Sequence, residues 1–370
     1  MIYVVRRGTT LSAVSRQYGV PVETLARLNQ IPDPDVLVEG QALLIPEETT
    51  EGVLSVEVSG FAYPFISPWV LRETLEGIRG LAVFSYGFTP EGNLLPPVLN
   101  DCWMVQRALK QGVRPILVLT PLDRSGIFSN YLIHTLLTNP DAQTRLLQEL
   151  ENRMQSMGYA ELNIDFEFIL PEDRDRFTAF VELAAETLSV PVSVCLAPKM
   201  SRMQRGLLFE GKDFAALGRA ADRVLLMTYE WGYKYGPPMA IAPIEPVRRV
   251  VQYALSEIPA EKICLGLANY GYDWPLPFVQ GETVARTIGS IEAVEIARRN
   301  RTNIIFDWPS KSPWFQYTDD EGVRHVVWFE DVRSWQYKLD LVKEYGLAGV
   351  GIWTVMNLNR PGLALIGENF

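Results

Sequence analysis

The feature that most restricts the fold is a regular alternation of short apolar runs with longer amphipathic segments, which starts near residue 53. The runs have the length and composition of β-strands, and the segments between them have the period of helices. Eight such runs are present: VLSVEVSGFAY, GLAVFSYGF, RPILVLT, AELNIDFEF, PVSVCLAP, DRVLLMTYE, KICLGLAN and AGVGIWTV. Eight strands with about as many helices predict an α/β fold, a (β/α)₈ TIM barrel over residues 53–370.

One interval between the strand-like runs is too long for a single helix. About 80 residues separate the seventh run from the eighth, and their middle is rich in aromatic residues. Thr318–Gly322 carries turn-forming residues between two strand-like stretches, which predicts a β-hairpin. We therefore expect a small α+β subdomain, about residues 271–335, inserted before the last strand of the barrel.

The first 47 residues form a unit of their own. IYVV and ALLIP are strand-like, whereas LSAVSRQYGV and PVETLARLNQ have helical periodicity. Thr10 or Ser12 is available to cap the first helix, and Pro21 stands at the start of the second. The order βααβ predicts a compact module over residues 1–47. The polar residues 48–52 lack periodicity and are interpreted as a linker.

Composition excludes several classes of function. The 370 residues include 34 basic and 44 acidic ones, a formal charge of −10 without a basic patch, which argues against nucleic acid or an anionic membrane as partner. Two histidines and three widely spaced cysteines form neither a metal site nor a disulfide framework. The chain opens without a secretory signal and has no apolar run of about 18 residues, so we expect synthesis in the cytoplasm and no membrane insertion.

The fourth strand-like run carries polar residues at every second position. Asn163, Asp165 and Glu167 share one face of LNIDFEF, because the side chains of a strand alternate. The apolar residues of the run take the other face: Leu162, Ile164, Phe166 and Phe168. In a barrel the apolar face meets the helices, so the polar residues are predicted to point into the lumen. Burying polar groups without partners costs about 1–3 kcal/mol each, which favours a functional origin over the alternative of an exposed edge strand.

The two carboxylates of this run suit acid–base chemistry. Their Cα atoms would lie only about 6–7 Å apart on one face. Ionising both in a poorly solvated pocket is unfavourable, so one of them is expected to hold a proton. Glu167 is nearer to the barrel mouth, where the active sites of such barrels lie. We assign Glu167 as the general acid/base and Asp165 as its electrostatic partner.

The same run resembles the DxxDxDxE signature of glycoside hydrolase family 18, in which the last Glu is the catalytic acid. The final Asp and Glu of the signature match Asp165 and Glu167. This sequence departs from the signature in two places, since Ala160-Glu161 replaces the first Asp-Gly and Asn163 replaces the second Asp. The resemblance covers about residues 51–370.

Three further features carry this resemblance. Met227-Thr228-Tyr229-Glu230 is similar to the Met-x-Tyr-Asp motif of the family, with Glu230 in place of Asp. Trp353 in the eighth run matches the tryptophan that forms the floor of the family's site. A subdomain inserted before the last strand is also a feature of the family.

The resemblance implies a substrate-assisted mechanism, in which the acetamido oxygen of the substrate attacks the anomeric carbon. Glu167 would protonate the glycosidic oxygen, Asp165 would orient the acetamido N–H, and Tyr229 would bond the acetamido oxygen. Trp353 would stack on the sugar. No metal or organic cofactor is implied. Asn163 removes one negative charge from the usual row, which is expected to alter the rate and the pH optimum.

Side chains near the strand ends are candidates for binding the substrate. Aromatic rings stack on the apolar faces of sugars, and several follow strands directly; packing of the inserted subdomain is the alternative for each. For Glu230 a surface role is the alternative. The predicted substrate-binding residues are Asn163, Met227, Glu230, Trp353, Tyr63, Trp231 and Tyr270.

The N-terminal module resembles the LysM domain, which binds glycans that contain N-acetylglucosamine. The match runs through Tyr3-Val4-Val5, Gly8-Thr9-Thr10-Leu11, Tyr18-Gly19-Val20, Leu28-Asn29 and Gly40-Gln41 before Leu44-Ile45-Pro46. Thr9 stands where the family usually has Asp. The resemblance implies a sugar site between two loops, Gly8–Ser12 and Asn29–Val36, with these contact residues: Gly8, Thr9, Thr10, Leu11, Asn29, Ile31 and Pro32.

Together the two resemblances imply a glycosidase that cleaves β-1,4 bonds after N-acetylglucosamine in peptidoglycan. A LysM module without an export signal is typical of spore-associated bacterial glycosidases, so we expect an N-acetylglucosaminidase of spore cortex fragments, deposited at the cortex or coat of a spore-forming bacterium and active during germination. The expected partner is the glycan, peptidoglycan or a chitin-like polymer. Two alternatives remain, a chitinase or chitooligosaccharide hydrolase and a non-catalytic glycan-binding coat protein.

Overall fold

The computed structural model describes residues 1–47, 55–122 and 126–370. The predicted linker, residues 48–52, lies outside the described residues. Strands and helices are numbered along the whole chain. Those of the N-terminal module are β1 Ile2–Val4, α1 Leu11–Tyr18, α2 Val22–Leu28 and β2 Ala42–Leu44.

The N-terminal module has the predicted βααβ order, with β1 and β2 paired antiparallel. The Thr10 side chain accepts a hydrogen bond from the Ala13 N–H and so caps α1, as predicted for one of two candidate residues. Buried apolar side chains from both helices and both strands form a small core of their own: Val5, Leu11, Val14, Leu25, Leu43 and Ile45.

Within the described residues, eight parallel strands close into a barrel, which confirms the predicted fold. They are β3 Glu57–Ala62, β4 Gly80–Phe88, β6 Arg114–Leu119, β7 Glu161–Ile164, β8 Val192–Leu196, β9 Arg223–Leu226, β10 Ile263–Ala268 and β16 Gly349–Trp353. The two-residue strand β5 Leu94–Leu95 adds antiparallel to β4. Each predicted run supplies one barrel strand, and the final pairing of β3 with β4 closes the ring.

Helices cover the outside of the barrel. They are α3 Pro68–Thr74, α4 Cys102–Lys110, α5 Asn130–Leu137, α6 Pro140–Met157, α7 Arg174–Thr187, α8 Phe214–Ala220, α9 Ile244–Leu255, α11 Val332–Tyr345 and α12 Arg360–Asn369. Asn139 caps α6 and Pro140 occupies its first turn. Short 3₁₀ turns at Pro171–Asp173 and Ala260–Lys262 precede α7 and β10.

Between β10 and β16 the chain builds a second sheet. Its elements are β11 Gly271–Leu276, β12 Arg286–Ile288, α10 Ser290–Arg299, β13 Ile305–Asp307, β14 Ser312–Thr318 and β15 Arg324–Trp328. The strands pair antiparallel in the order β12-β11-β15-β14-β13. β14 and β15 form a hairpin around the predicted turn at Thr318–Gly322.

Alternation along the barrel strands separates two apolar layers. The layer inside the lumen consists of Phe61, Ala82, Phe84, Ile116, Val118, Cys195, Leu225 and Cys264, and the outer layer packs against the helices. Phe166 belongs to the outer layer, where its ring stacks on those of Phe177 and Phe180 in α7 with centroids 5.8 and 6.0 Å away.

The fourth barrel strand is shorter than predicted. β7 ends at Ile164, and the chain turns three residues after Asp165. Phe168 has φ +54° and is 38% exposed, so the prediction that it packs against the helices is wrong. The reason is local: once the backbone enters the left-handed region, the alternation of a strand no longer decides where side chains point.

The N-terminal module packs against both the inserted subdomain and the barrel. The Ile304 N–H donates to the Glu39 carbonyl oxygen at 2.9 Å, and the Arg360 N–H donates to the Gln30 side chain at 2.8 Å. Gly40 lies so close to Ile304 that a β-carbon there would overlap the Ile304 carbonyl oxygen. Backbone contacts of this kind fix the position of the module relative to the barrel.

Candidate active site

The predicted acid pair lies at the carboxyl ends of the parallel strands, where barrel active sites form. Asp165 follows β7 directly, and its N–H donates to the Leu119 carbonyl oxygen of β6 at 2.9 Å. This bond extends the sheet by one residue, so the Asp165 side chain still points into the lumen and is only 5% exposed. Glu167, two residues later, is half-buried beside it at the mouth.

Asn163 lies below Asp165 in the lumen and is buried. Its Nδ2 donates to the Ser193 hydroxyl at 3.0 Å, and its Oδ1 accepts from the Cys195 thiol at 3.3 Å. The amide therefore donates on one side and accepts on the other. An ionised carboxylate accepts only, so Asp in this place would lose the bond to Ser193 while that hydroxyl donates to Glu161.

The environment of the two carboxyl groups favours their protonated forms. Burial first, and then the negative charge of Glu167, raise the pKa of Asp165 to about 7. Burial also raises the pKa of Glu167, and the neighbouring Glu230 acts in the same direction. One oxygen of Asp165 is buried with no hydrogen-bond partner among the described residues. Two close carboxyl groups with raised pKa values are suited to sharing and transferring a proton.

Tyr229 lies next to this pair and follows the end of β9 in the chain. It is buried because β10 presents Gly266 there, where a β-carbon would lie only 2.8 Å from the tyrosine ring. The Thr228 hydroxyl donates to the Gly266 carbonyl oxygen at 2.8 Å and holds the turn in place. Burial and the negative charge of Asp165 raise the pKa of Tyr229, so its phenol keeps its proton and can donate it in a hydrogen bond.

Glu230 and Tyr270 are brought together, and a second tyrosine joins them. The Tyr270 hydroxyl donates to Glu230 Oε1 at 2.5 Å, and the Tyr272 hydroxyl donates to the same atom at 2.7 Å. Glu230 has φ +67°, which turns its side chain toward this pair. Burial raises the pKa of Glu230, and the two phenols act against that rise. Glu230 is thus held inside the cleft and not on the surface.

An aromatic cluster covers the opposite side of the mouth. Trp353 meets Phe84, Phe61 and Tyr63 edge to face, with ring centroids 5.0, 5.7 and 6.2 Å away. Met227 packs against the same lumen layer, and Trp231 is half-buried beyond Glu230. The predicted substrate-binding side chains therefore come from the ends of five different strands.

Two groups beside the carboxylates are not singled out by the sequence. Tyr272 belongs to the aromatic residues that follow strands, but nothing in the pattern pairs it with Glu230. Lys212, in the loop after β8, is 1% exposed and has no periodic signal at all. A lysine in a loop is usually exposed, so only the structure reveals a buried ammonium group near the acid pair.

The contact residues predicted for the N-terminal module lie in three places: beside a cavity, on the opposite loop and in the module core. Ile31 and Pro32 line a cavity of about 410 Å³ between the module and α10, which Asn29 also borders. Asn29 is itself buried and bonds the backbone of Leu44 in both directions. The remaining four lie outside this cavity: Gly8, Thr9 and Thr10 at the opposite loop, and Leu11 in the module core.

The described residues contain neither a grouping of side chains suited to a metal ion nor a helix suited to crossing a membrane. In the ranges 1–47, 55–122 and 126–370, no three or more histidine, cysteine, aspartate or glutamate side chains are grouped so that they could hold a metal ion. No helix in the same ranges has both the length and the apolar character needed to span a membrane.

Comparison with known proteins identifies both parts of the chain. The family described as glycosyl hydrolases family 18 matches residues 128–357, and the LysM domain matches residues 3–46. The cortical fragment-lytic enzyme of Bacillus subtilis is 37% identical over 95% of this chain and 94% of its own length.

Two solved structures resemble the whole chain. The Bacillus cereus spore cortex-lytic enzyme SleL superposes with a TM-score of 0.83 at 35% identity, over 100% of this chain and 86% of that one. The Bacillus megaterium SleL gives 0.82 at 34% identity over the same shares. The chain is therefore a glycosidase of glycosyl hydrolase family 18 with a LysM domain at its N-terminus.

Proposed function

We propose that this chain hydrolyses the β-1,4 bond after N-acetylglucosamine in peptidoglycan, with fragments of the spore cortex as its substrate. The observation that carries the proposal is the pair of Asp165 and Glu167 at the mouth of the barrel, both with raised pKa values. The substrate class is supported by the Bacillus subtilis relative, which is called a cortical fragment-lytic enzyme and matches over nearly the full length of both chains.

Glu167 supplies the acid in this proposal. Its carboxyl group is the outer one of the pair, half-buried at the mouth, where a glycosidic oxygen can reach it. A raised pKa keeps the group protonated above the usual range of a glutamic acid, so it has a proton to give to the leaving sugar. After departure of that sugar the carboxylate can act as the base that activates water.

Asp165 and Tyr229 act on the acetamido group of the substrate. One Asp165 oxygen has no hydrogen-bond partner among the described residues, so it can accept a hydrogen bond from the acetamido N–H. This bond aligns the acetamido oxygen with the anomeric carbon. The protonated phenol of Tyr229 donates to that oxygen. The negative charge of Asp165 then stabilises the cationic intermediate in a site that excludes most water.

The rest of the site holds the glycan. The exposed edge of the Trp353 cluster provides a ring for stacking, and Glu230, fixed by Tyr270 and Tyr272, provides a carboxylate oriented toward sugar hydroxyls. The LysM domain adds a second contact to the polymer, which raises the local substrate concentration. We place the enzyme at the cortex or coat of the spore, acting in germination.

A product analysis tests this function. Purified cortex fragments and chitin hexamer are digested with the wild type, with Glu167→Gln and with the matched control Glu172→Gln, an exposed glutamate on the same loop. We expect cortex products that end in reducing N-acetylglucosamine from the wild type and the control, and a loss of about 10²–10⁴-fold in rate for Glu167→Gln.

The other outcomes decide between the alternatives. Products from chitin alone would make the protein a chitooligosaccharide hydrolase. An absence of products from either substrate, with the wild type still sedimenting with insoluble peptidoglycan, would support the glycan-binding coat protein. Full activity of Glu167→Gln would remove Glu167 from the role of acid.

A further inference from the structure

A buried lysine stands beside the acid pair and has no part in the mechanism above. Lys212 lies in the loop between β8 and α8 and is 1% exposed. Its Nζ donates to the Cys195 carbonyl oxygen near the end of β8 at 3.1 Å, the one hydrogen bond that the described residues give it. Its ammonium group is therefore inside the barrel mouth, with two donors that no protein acceptor in those residues takes up.

The loop is built to keep Lys212 in this position. A second buried lysine, Lys199, donates from its Nζ to the carbonyl oxygens of Lys212 and Phe209, at 3.1 and 3.2 Å. Gly211 packs so tightly on the segment after Glu167 that a β-carbon there would overlap the Ile169 carbonyl oxygen. The residue before the lysine thus lies against the segment that follows the acid.

Burial of an ammonium group is costly unless opposite charge lies nearby, and one carbonyl oxygen does not supply that charge. The carboxylates of Asp165 and Glu167 do. Burial lowers the pKa of Lys212, whereas these two carboxylates act to raise it, and the lysine in turn acts to lower the pKa of each carboxyl group. The lysine and the two carboxylates therefore stabilise each other's charged forms.

We propose that Lys212 is a positioning residue of the active site, whose fixed positive charge keeps one carboxylate of the Asp165–Glu167 pair ionised while the other holds the proton. In its absence both groups would tend to be protonated, and Asp165 would lack the charge needed for the cationic intermediate. This inference rests on the acid pair of the proposed function but not on the identity of the glycan.

The other charged and titratable groups around the cluster come from several elements. They are the Cys195 thiol of β8, the Tyr63 phenol after β3, and Tyr229 and Glu230 after β9. Burial raises the pKa of each of these groups, so the three that are not carboxylic acids stay neutral near pH 7. Lys234 is a further positive charge near these groups and acts on Glu230, whereas Lys212 is the lysine that acts on Asp165 and Glu167.

The first test is an NMR titration that needs no substrate. The full chain is labelled with ¹³C in the side chains of Asp, Glu and Lys, and the resonances are assigned with Asp165→Asn, Glu167→Gln and Lys212→Arg. In the wild type, we expect the Lys212 Cε resonance to shift when the acid pair titrates. A Lys212 resonance that does not respond to that titration would overturn the proposal.

The second test is the pH profile of Lys212→Met. Removing an opposite charge at this range raises the carboxyl pKa values by about 1 to 3, so we expect both limbs of the kcat/KM profile to move to higher pH by at least about one unit. Lys212→Arg should keep the wild-type limbs. The matched control is Lys262→Met, which loses two bonds to backbone carbonyls at the opposite end of the barrel.

The outcomes are separable from those of the proposed function. The profile is measured on whichever oligosaccharide the wild type cleaves, so a failure of the cortex assignment leaves this test intact. The proposal would be overturned if a folded Lys212→Met variant kept the wild-type pH limbs of kcat/KM. It would also be overturned if Lys262→Met shifted these limbs by the same amount as Lys212→Met. Should Lys212→Met not fold, the wild-type titration alone decides.

Discussion

Carboxylates are paired with arginines at the amino end of the barrel lumen, whereas those at the carboxyl end have raised pKa values. At the amino end, Glu57 and Glu161 face Arg114 and Arg223. Arg114 bonds Glu57 at 2.6 Å, and Arg223 bonds Glu161 at 2.5 Å. Burial acts to raise the pKa of Glu57, but Arg114, Arg223 and Arg79 outweigh it and hold the pKa below its usual value. Each carboxylate at this end is thus paired with arginine.

At the carboxyl end lie three carboxylates, Asp165, Glu167 and Glu230, and no arginine bonds any of them among the described residues. Lys212 acts on Asp165 and Glu167, whereas Lys234 acts on Glu230. The pKa values of the three carboxyl groups are raised, and one Asp165 oxygen has no partner among the described residues. Hydrogen bonds run from the amino end toward the acid pair, because Ser193 donates to Glu161 and accepts from Asn163, which lies below Asp165. Glu161 and Asp165 are four residues apart in the chain, and Glu161 is the one that pairs with arginine.

The comparison shows how one lumen serves stability and chemistry. Paired charges at the amino end bond to each other and stabilise the closed ring. Unbalanced charges at the other end retain a reactive proton and an unsatisfied acceptor, which is unfavourable for folding and useful for catalysis. The predictions below test this division, beginning with the largest effect.

Asp165→Asn should lower kcat about 10²–10³-fold, because the amide lacks the charge that stabilises the cationic intermediate. It should also stabilise the fold at neutral pH. The raised pKa of Asp165 means that its contribution to stability is present below its unfolded pKa and is lost as the pH rises through about 7. The gain in melting temperature over the wild type should therefore be larger at pH 7.5 than at pH 4.

Kinetics and thermal denaturation of the same preparation check both halves of this prediction. A variant that lost activity and stability together would show that Asp165 is a structural residue, and the contrast between the two ends would fail.

Glu161→Gln should have the reverse profile. It weakens the bonds to Arg223 and Ser193 at the amino end, so the free energy of unfolding should fall by about 2–3 kcal/mol. The catalytic end keeps its groups, and kcat should stay within about threefold. Urea denaturation at pH 7 measures the first quantity. A hundredfold loss of kcat with unchanged stability would mean that the amino end takes part in the chemistry.

Tyr270→Phe removes one of the two phenols that hold Glu230. If Glu230 orients the sugar, KM should rise about 3- to 10-fold while kcat changes by less than about twofold, because uniform binding is lost. Tyr272→Phe is the matched variant and should behave alike. An effect on kcat alone would place Glu230 with the reacting groups.

The smallest effect concerns the LysM domain. Ile31→Ala enlarges the cavity beside α10 and should reduce co-sedimentation with insoluble peptidoglycan about two- to threefold. Turnover of soluble fragments should not change. Val4→Ala, an exposed position on β1 away from the cavity, is the control. Equal binding by both variants would place the sugar contact elsewhere on the module.

Much of the fold could be predicted from local pattern. Strand-like runs with helical segments between them indicated the barrel, and Thr10 was recognisable as a candidate cap because capping depends on residues within one turn. The end of β7 at Ile164 could not be predicted in this way, since the left-handed turn at Phe168 depends on how the next loop packs.

For the candidate site, too, local pattern predicted the acids but not the groups that surround them. Alternation alone put Asp165 and Glu167 on one face, because a period of two is a property of the backbone. The partners of these groups come from other strands: Lys212 through the loop after β8, Tyr272 through the inserted sheet, and Tyr229 through the space left by Gly266. Nothing in the spacing of the residues joins them.

Periodicity and short-range chemistry were thus enough to specify which residues form each strand and which carry acids. Glu161 is paired with an arginine, whereas one oxygen of Asp165 has no hydrogen-bond partner among the described residues. This difference was decided when the barrel closed and brought distant side chains around each acid. The physical reason is that a pKa depends on burial and on charges within a few ångströms, and both are properties of the packed molecule.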